Sequence, residues 1–384
     1  MSVSTAPRRL FPVDSREGKS VVMAGVPYVT FTSNDYLGLA QDPDLAAITA
    51  QTLNREGMGS GGSRLLGGDT AMAHALEVQL STALGTESAL VWASGYQTNV
   101  GIMSVLADNQ DMVFADRYIH ASWVDGVRLA GTRIQRFRHN DMAHLEALLQ
   151  RYRGRCRRAI VLVESVYSMD GDLAPLAEIL RIKKQYDTLL IVDEAHAFGV
   201  FGPHGFGCWE SYRQDARGIE GAEPFQRQGI FIVGTFGKAC GSYGAFVACD
   251  ADWRQAFIQS ARSFIYSTGL PLPVLAWNLA VVSQLSGYRT LREKLWSNVS
   301  FFRDKINALS PLGTSMIVPI LLKEERVDTV VSSLRDLGFW VACVRYPTVP
   351  KGQSRLRLSL SADHSEADLL ALARHLTALL YVHE

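Results

Sequence analysis

Two hydrophobic runs in this chain end on residues that could work together. LLIVDEAHAFG at 189–199 sets Asp193 at the end of an apolar run, with His196 three residues on. IFIVGTFGKACG at 230–241 sets Thr235 and Lys238 just past another. In an open α/β sheet, ligands bind beyond the carboxyl ends of the strands, so an acid, a histidine and a lysine would exit where chemistry is done. A single lysine there reads equally well as a solvated loop residue, but its pairing with an acid is more specific. Pyridoxal phosphate needs one amine to bind its aldehyde and one carboxylate to keep its pyridine nitrogen protonated. The protonated ring can then draw electrons from a substrate's α-carbon. Lys238 suits the first role, because a desolvated amine beside a cationic ring gives up its proton readily. Asp193 suits the second.

Other readings of the nearby glycines fail. Around Lys238 the order is Gly234, Thr235, Phe236, Gly237, Lys238, Ala239. A nucleotide P-loop needs four residues between its glycines and Ser or Thr after the lysine. GSGGSR at 59–64 has Arg64 where a dinucleotide fingerprint needs its third glycine, and it follows a helical pattern rather than a strand. A phosphate cradle is better placed at Ser94, Gly95 and Tyr96, which follow an apolar run and open a helical one. Backbone amides at a helix start bind phosphate, although connectors of this kind are common. Thr235 offers a hydroxyl to the same anion. His120 follows another strand pattern; an imidazole there could stack on a cofactor ring, or serve as a capping residue. None of the nine histidines has metal-ligand spacing, so no metal is expected.

The elements that must position these groups are legible as periodicity. Strands are expected at 89–92, 112–115, 134–137, 159–164, 189–193, 230–234 and 245–248, several of them continuous Val/Ile/Leu runs, as for strands covered on both faces. Helices are expected at 70–84, 96–107, 120–130, 141–152 and 175–186, with Asp69 or Thr70 capping the first and Asp141 the fourth. This alternation predicts an α/β fold with a mainly parallel sheet. After about 270 the pattern changes to helices near 271–285 and 287–309, strands near 316–322, 339–345 and 355–360, and helices near 324–337 and 365–381, a smaller α+β domain. The expected division is 1–42 as an N-terminal segment packing across both domains, 43–270 as the large domain and 271–384 as the small one. Residues 207–228 read as a long surface loop. RYRGRCRR at 151–158 reads as a solvated basic helix end, with an anion site as the alternative.

Bulk properties exclude several classes. Lys+Arg and Asp+Glu are both 38, so nothing in the charge balance calls for nucleic acid or an acidic membrane. The most apolar stretch, 270–285, is too short and too interrupted to span a bilayer. No apolar run follows the early arginines, and five cysteines without CxxC spacing fit a reducing, cytoplasmic setting.

The motifs together resemble the α-oxoamine synthases, from about Phe31 to Leu380. The segments that carry the resemblance include FTSNDYLGLA at 31–40, GSGGSRLLGG at 59–68, SGYQTN at 94–99, DRYIHAS at 116–122, ESVYSMDGDLAPL at 164–176, VDEAHAFGVFGPHGFG at 192–207, TFGKACGSYGA at 235–245, IYSTGLP at 265–271 and PTVPKGQSRLRLSLSA at 347–362. The resemblance implies fold type I of the pyridoxal-phosphate enzymes. It implies a decarboxylating condensation of an amino acid with an acyl thioester carried on coenzyme A or an acyl carrier protein. It makes Lys238 the cofactor lysine and the group that removes the α-proton, Asp193 the pyridinium partner, His196 a contact of the ring hydroxyl and His120 the ring-stacking histidine. Gly95, Tyr96, Ser168 and Thr235 become cofactor contacts. Ser267 and Thr268 become phosphate contacts from a second subunit, implying a homodimer with a shared site. Asn34 and Arg357 fall near the amino-acid carboxylate, Thr348 becomes a substrate contact, and Arg8 lines up with a substrate-contacting arginine.

Overall fold

The computed structural model describes residues 9–217 and 229–381. Its contacts divide the chain into two units. The larger comprises 42–167 and 173–289; the smaller comprises the chain up to 41, 168–172 and the chain from 290.

The larger unit is built on a seven-stranded sheet in the order Ser88–Trp92, Ala245–Cys249, Ile230–Thr235, Leu189–Asp193, Ala159–Glu164, Met112–Asp116, Arg133–Phe137. Ala245–Cys249 alone runs against the direction of the other six strands. Ala159–Glu164 and Met112–Asp116 are buried at every position, as their unbroken apolar runs require when helices cover both faces. The edge strand Arg133–Phe137 is instead half-exposed and carries Arg133 and Arg136, charges that discourage further pairing. The five helices expected between 70 and 186 begin and end within one residue of expectation. Their starts follow from local chemistry: the Thr70 hydroxyl accepts from Ala73 N at 3.2 Å, and the Asp141 carboxylate accepts from His144 N at 2.8 Å. Trp92, Trp123, Phe231 and Phe257 fill the core between sheet and helices.

Three expectations are corrected. Residues 208–217, read as loop, form the helix Cys208–Arg217. Its first two amides, Cys208 N and Trp209 N, donate to the Glu194 carboxylate at 2.9 and 2.7 Å. A carboxylate there satisfies orphan donors and favours the helix dipole, and it comes from another segment, so local composition did not reveal it. The remainder of that expected loop, 218–228, lies outside the described residues. The expected strand at 339–345 is two strands in two sheets: Phe339–Trp340 pairs with Val26–Thr30, and Ala342–Val344 pairs with Arg355–Ser359. The expected boundary at 270 moves to 289, because helix Leu272–Gln284 packs on helices Pro43–Glu56 and Ala71–Leu84 of the larger unit.

The smaller unit holds two sheets. Ser15–Glu17, Ser20–Met23 and Val26–Thr30 form a meander with Phe339–Trp340; Ile317–Leu321, Arg355–Ser359 and Ala342–Val344 form the other. Between them His364, 2% exposed, stacks on Phe31 with ring centroids 4.2 Å apart. Ser361 N donates to its Nδ1 and its Nε2 faces the Thr30 carbonyl, both at 3.0 Å. Those partners select the neutral ring with its proton on Nε2; a second proton on Nδ1 would confront an N–H. Burial accordingly pushes its pKa from 6.5 down to about 4. A folded pKa below the unfolded one gives stability that is present above pH 6.5 and lost as pH falls towards 4. We expect His364→Gln, which can accept and donate in the same directions, to remove up to about 3 kcal/mol of the acid sensitivity. Denaturant melts of both proteins at pH 7 and pH 4.5 test this, and parallel losses would refute it. No helix among the described residues is long and apolar enough to cross a membrane.

Candidate active site

At the carboxyl end of Leu189–Asp193, the Asp193 side chain is held from two directions. Its Oδ2 accepts from Trp123 Nε1 at 2.7 Å and its Oδ1 from Ala195 N at 3.0 Å. The residue is only 5% exposed. Trp123 is fully buried in helix Ala121–Ala130, whose N-cap is His120. Ser122 N and the Ser122 hydroxyl lie 3.3 and 2.7 Å from His120 Nδ1, fixing the ring at the helix start. One helical turn therefore carries both the histidine and the tryptophan that orients the acid.

His120 keeps accessible surface, yet surrounding atoms crowd it enough that lost hydration lowers its pKa. The negative charge of Asp193 opposes that shift and the positive charge of Lys238 adds to it. One imidazole thus lies within electrostatic reach of both the acid and the amine. Lys238 is half-buried in the turn that follows Ile230–Thr235. That turn is closed by its own backbone and one hydroxyl: Thr235 Oγ1 donates to the Gly244 carbonyl at 2.9 Å and accepts from Gly237 N at 3.1 Å, and Gly241 N donates to the Lys238 carbonyl at 2.9 Å. Gly244 has φ +106°, and a Cβ there would meet Leu270 at 2.9 Å, so the closure needs glycine. His196 is buried in the turn after Asp193.

Helix Gly95–Leu106 starts past the carboxyl end of Ser88–Trp92 in the same sheet, with Ser94 as cap accepting from Gln97 N at 3.4 Å. A Cβ added at Gly95 would meet nothing within 4 Å, so the helix start is open on that side. Tyr96 is half-exposed and its hydroxyl donates to Asp125. Ser267 and Thr268 line a cavity with Arg64, Trp92 and Ala93. Of the glycines in 59–68, Gly62 and Gly68 serve close backbone packing; a Cβ at Gly68 would lie 2.0 Å from the Gly62 carbonyl.

In the smaller unit the structure groups three of the expected residues. Arg357, 9% exposed, donates from Nε to the Ser168 carbonyl at 2.6 Å, from Nη1 to Ser359 Oγ at 2.8 Å and from Nη2 to Asn34 Oδ1 at 3.2 Å. Tyr36 also donates to Asn34 Oδ1, at 3.1 Å. Thr348 is exposed and Arg8 lies outside the described residues.

Sequence reasoning missed Trp123, Ser165 and Glu194. Ser165 donates from its hydroxyl to Glu194 Oε2 at 2.7 Å and from its amide to the Asp193 carbonyl at 2.9 Å. Glu194 is fully buried, and loss of hydration pushes its carboxyl up to about 7 against three donors. The available signal was an acid directly following Asp193, since adjacent strand-end residues point to opposite faces.

The residues fit pyridoxal phosphate. An amine and an oriented, buried carboxylate flank a histidine, and a helix-start amide and the Thr235 turn face the same strand ends. The comparisons agree. The family described as aminotransferase class I and II matches residues 26–376. An 8-amino-7-oxononanoate synthase of Geobacter sulfurreducens is 42% identical, covering 94% of this chain and 91% of that protein. Another, of Methylobacterium nodulans, is 39% identical over 97% and 92%. Among solved structures, a serine palmitoyltransferase of Sphingomonas wittichii superposes with TM-score 0.89 at 30% identity, covering 96% of this chain and 91% of that one. One of S. paucimobilis with bound PLP gives 0.88 at 32%, over 96% and 92%. An 8-amino-7-oxononanoate synthase of Francisella tularensis gives 0.76 at 29%, over 90% and 96%.

Proposed function

The chain belongs to the aminotransferase class I and II family and, within it, to the α-oxoamine synthases, and from that premise we propose that it condenses L-alanine with a pimeloyl thioester to give 8-amino-7-oxononanoate. Pyridoxal phosphate is its cofactor, and the chain is a decarboxylating acyltransferase acting on small molecules. The observation that carries the reading is the convergence of Lys238, Asp193 and His120 in one electrostatic neighbourhood, on a chain alike over nearly its whole length to enzymes of that name.

Bound pyridoxal phosphate supplies an aldehyde for the amino group and a ring that takes up the electrons left on the α-carbon. Lys238 would hold the cofactor and, once freed, serve as the base for the α-proton. Asp193, kept in place by Trp123 and Ala195, would keep positive charge at the pyridine nitrogen. His120 would pack on the ring, His196 would meet its hydroxyl, and Gly95, Tyr96, Thr235 and Ser168 would hold the remainder. Arg357 has five N–H groups and spends three of them on Ser168, Ser359 and Asn34. The others can clamp the amino-acid carboxylate, with Asn34 beside them. Thr348 and Arg8 contact substrate, and Ser267 and Thr268 serve the phosphate of a second copy in a cytoplasmic homodimer. The deprotonated α-carbon would attack the thioester carbonyl, the C–S bond would break to release the carrier thiol, and loss of the amino-acid carboxylate as carbon dioxide would make the new carbon–carbon bond effectively irreversible.

The segments 168–176 and 347–350 favour L-alanine and pimeloyl groups over other pairs. A second reading, L-serine with a long-chain thioester, is supported by the superposition on serine palmitoyltransferases. The test is thiol release by the holoenzyme with L-alanine, glycine or L-serine against pimeloyl-, acetyl-, succinyl- and palmitoyl-coenzyme A. Release with L-alanine and pimeloyl-coenzyme A alone is expected. Release with L-serine and palmitoyl-coenzyme A would transfer the assignment to the second reading. Transamination of L-alanine without any thioester would transfer it to the aminotransferases. Pimeloyl-acyl carrier protein in the same assay separates the two carriers.

A further inference from the structure

The basic segment 151–158 is not used by the chemistry above. It lies at the amino ends of Ala159–Glu164 and Leu189–Asp193, a strand's length, roughly 13 Å, from the end that carries Asp193. There Arg153, Arg157, Arg158, Lys183, Thr188 and Trp253 line an open cleft of about 340 Å³.

Most of its cations are already engaged. Arg157 and Arg158 pair with Asp111 at 2.7 and 2.9 Å, and Asp111 is held far below the usual carboxylate range by them. Arg153 donates to the carbonyls of Tyr186 and Asp187 at 2.8 and 3.1 Å. The cleft also contains two acids, Asp187 and Asp250. Two groups are left over. Among the described residues, Lys183 is half-buried on helix Leu176–Tyr186 without an ion pair, and burial lowers its pKa. Among the same residues the Thr188 hydroxyl, on a residue 2% exposed, has no hydrogen-bond partner. A buried hydroxyl without a partner is costly, and the half-buried ammonium of Lys183 loses hydration that the charges of Asp187 and Asp250 offset only in part, since its pKa stays lowered. Both are relieved by an acceptor carrying negative charge, and the arginine N–H groups around them suit a planar or tetrahedral oxyanion.

We propose that this cleft binds a small oxyanion, a phosphate or carboxylate group, between Lys183 and Thr188, apart from the cofactor's own phosphate site. The volume admits a phosphorylated metabolite as well as the free ion.

Calorimetric titration of the holoenzyme, whose cofactor phosphate site is filled, with inorganic phosphate in chloride buffer tests this. Saturable binding is expected, weakened about tenfold or more, the loss of one charge-assisted hydrogen bond, in Lys183→Gln and in Thr188→Val. It should be unchanged in Lys184→Gln, which alters an exposed lysine next door. Turnover without added anion should be the same in all three. Absence of saturable heat below about 10 mM, or equal weakening by Lys184→Gln, would overturn the site. Either cleft variant alone decides it if the other fails to fold. Titration with phosphoserine and with acetate then distinguishes phosphate from carboxylate.

Discussion

Lys238→Ala should abolish turnover, with kcat falling by about a thousandfold or more, because on the proposed mechanism one substitution removes both the cofactor's covalent anchor and the base for the α-proton. The fold should survive. The turn around Lys238 is held by Thr235, Gly237, Gly241 and Gly244 through backbone groups and one hydroxyl, none of which the substitution touches. Two readouts separate the anchor from the base. Borohydride treatment of the wild-type holoenzyme should fix the cofactor to the peptide containing Lys238, and Lys238→Ala should leave no peptide labelled. Added methylamine should restore part of the proton transfer without restoring attachment. Label on another lysine, or undiminished activity, would falsify the assignment of Lys238.

Asp193→Asn should be the next most damaging change. A carboxylate about 4 Å from a pyridinium is worth about 4 kcal/mol at the effective dielectric of a partly buried site, which corresponds to about a thousandfold in rate. The shape is nearly conserved, but one of the two donors now facing carboxylate oxygens, Trp123 Nε1 or Ala195 N, would meet an amide NH2. We therefore expect a stability loss of about 1–3 kcal/mol and weaker cofactor retention beside the larger fall in kcat. Rate and melting point measured on the same preparation separate the two effects. A rate loss below about tenfold with the fold intact would move the pyridinium partner elsewhere. Trp123→Phe, which keeps the carboxylate and removes one donor, should give a smaller loss of the same kind.

Much of this architecture is legible along the chain because its causes are local. Unbroken Val/Ile/Leu runs mark strands covered on both faces, Thr70 and Asp141 announce helix starts, and Gly85 and Gly131 end two helices in left-handed turns. The placement of Asp193 at the end of one such run and of Lys238 just past another was equally readable.

Contacts made through space were another matter. The helix at 208–217 has polar, loop-like composition and exists because Glu194 caps it and Trp209 is buried. The single apolar segment at 339–345 serves two sheets because its two halves meet different partners, Val26–Thr30 and Arg355–Ser359. Arg357 and Asn34 are 323 residues apart and meet only when the chain closes on itself. By itself the sequence determined the strands of the central sheet, the helices between them at 70–186 and the caps Thr70 and Asp141, because propensity, capping and hydrophobic period act between near neighbours. Only the tertiary structure decided that Trp123 orients Asp193, that Glu194 starts a helix and that Lys183 and Thr188 share a cleft, because those energies depend on which surfaces packing brings together.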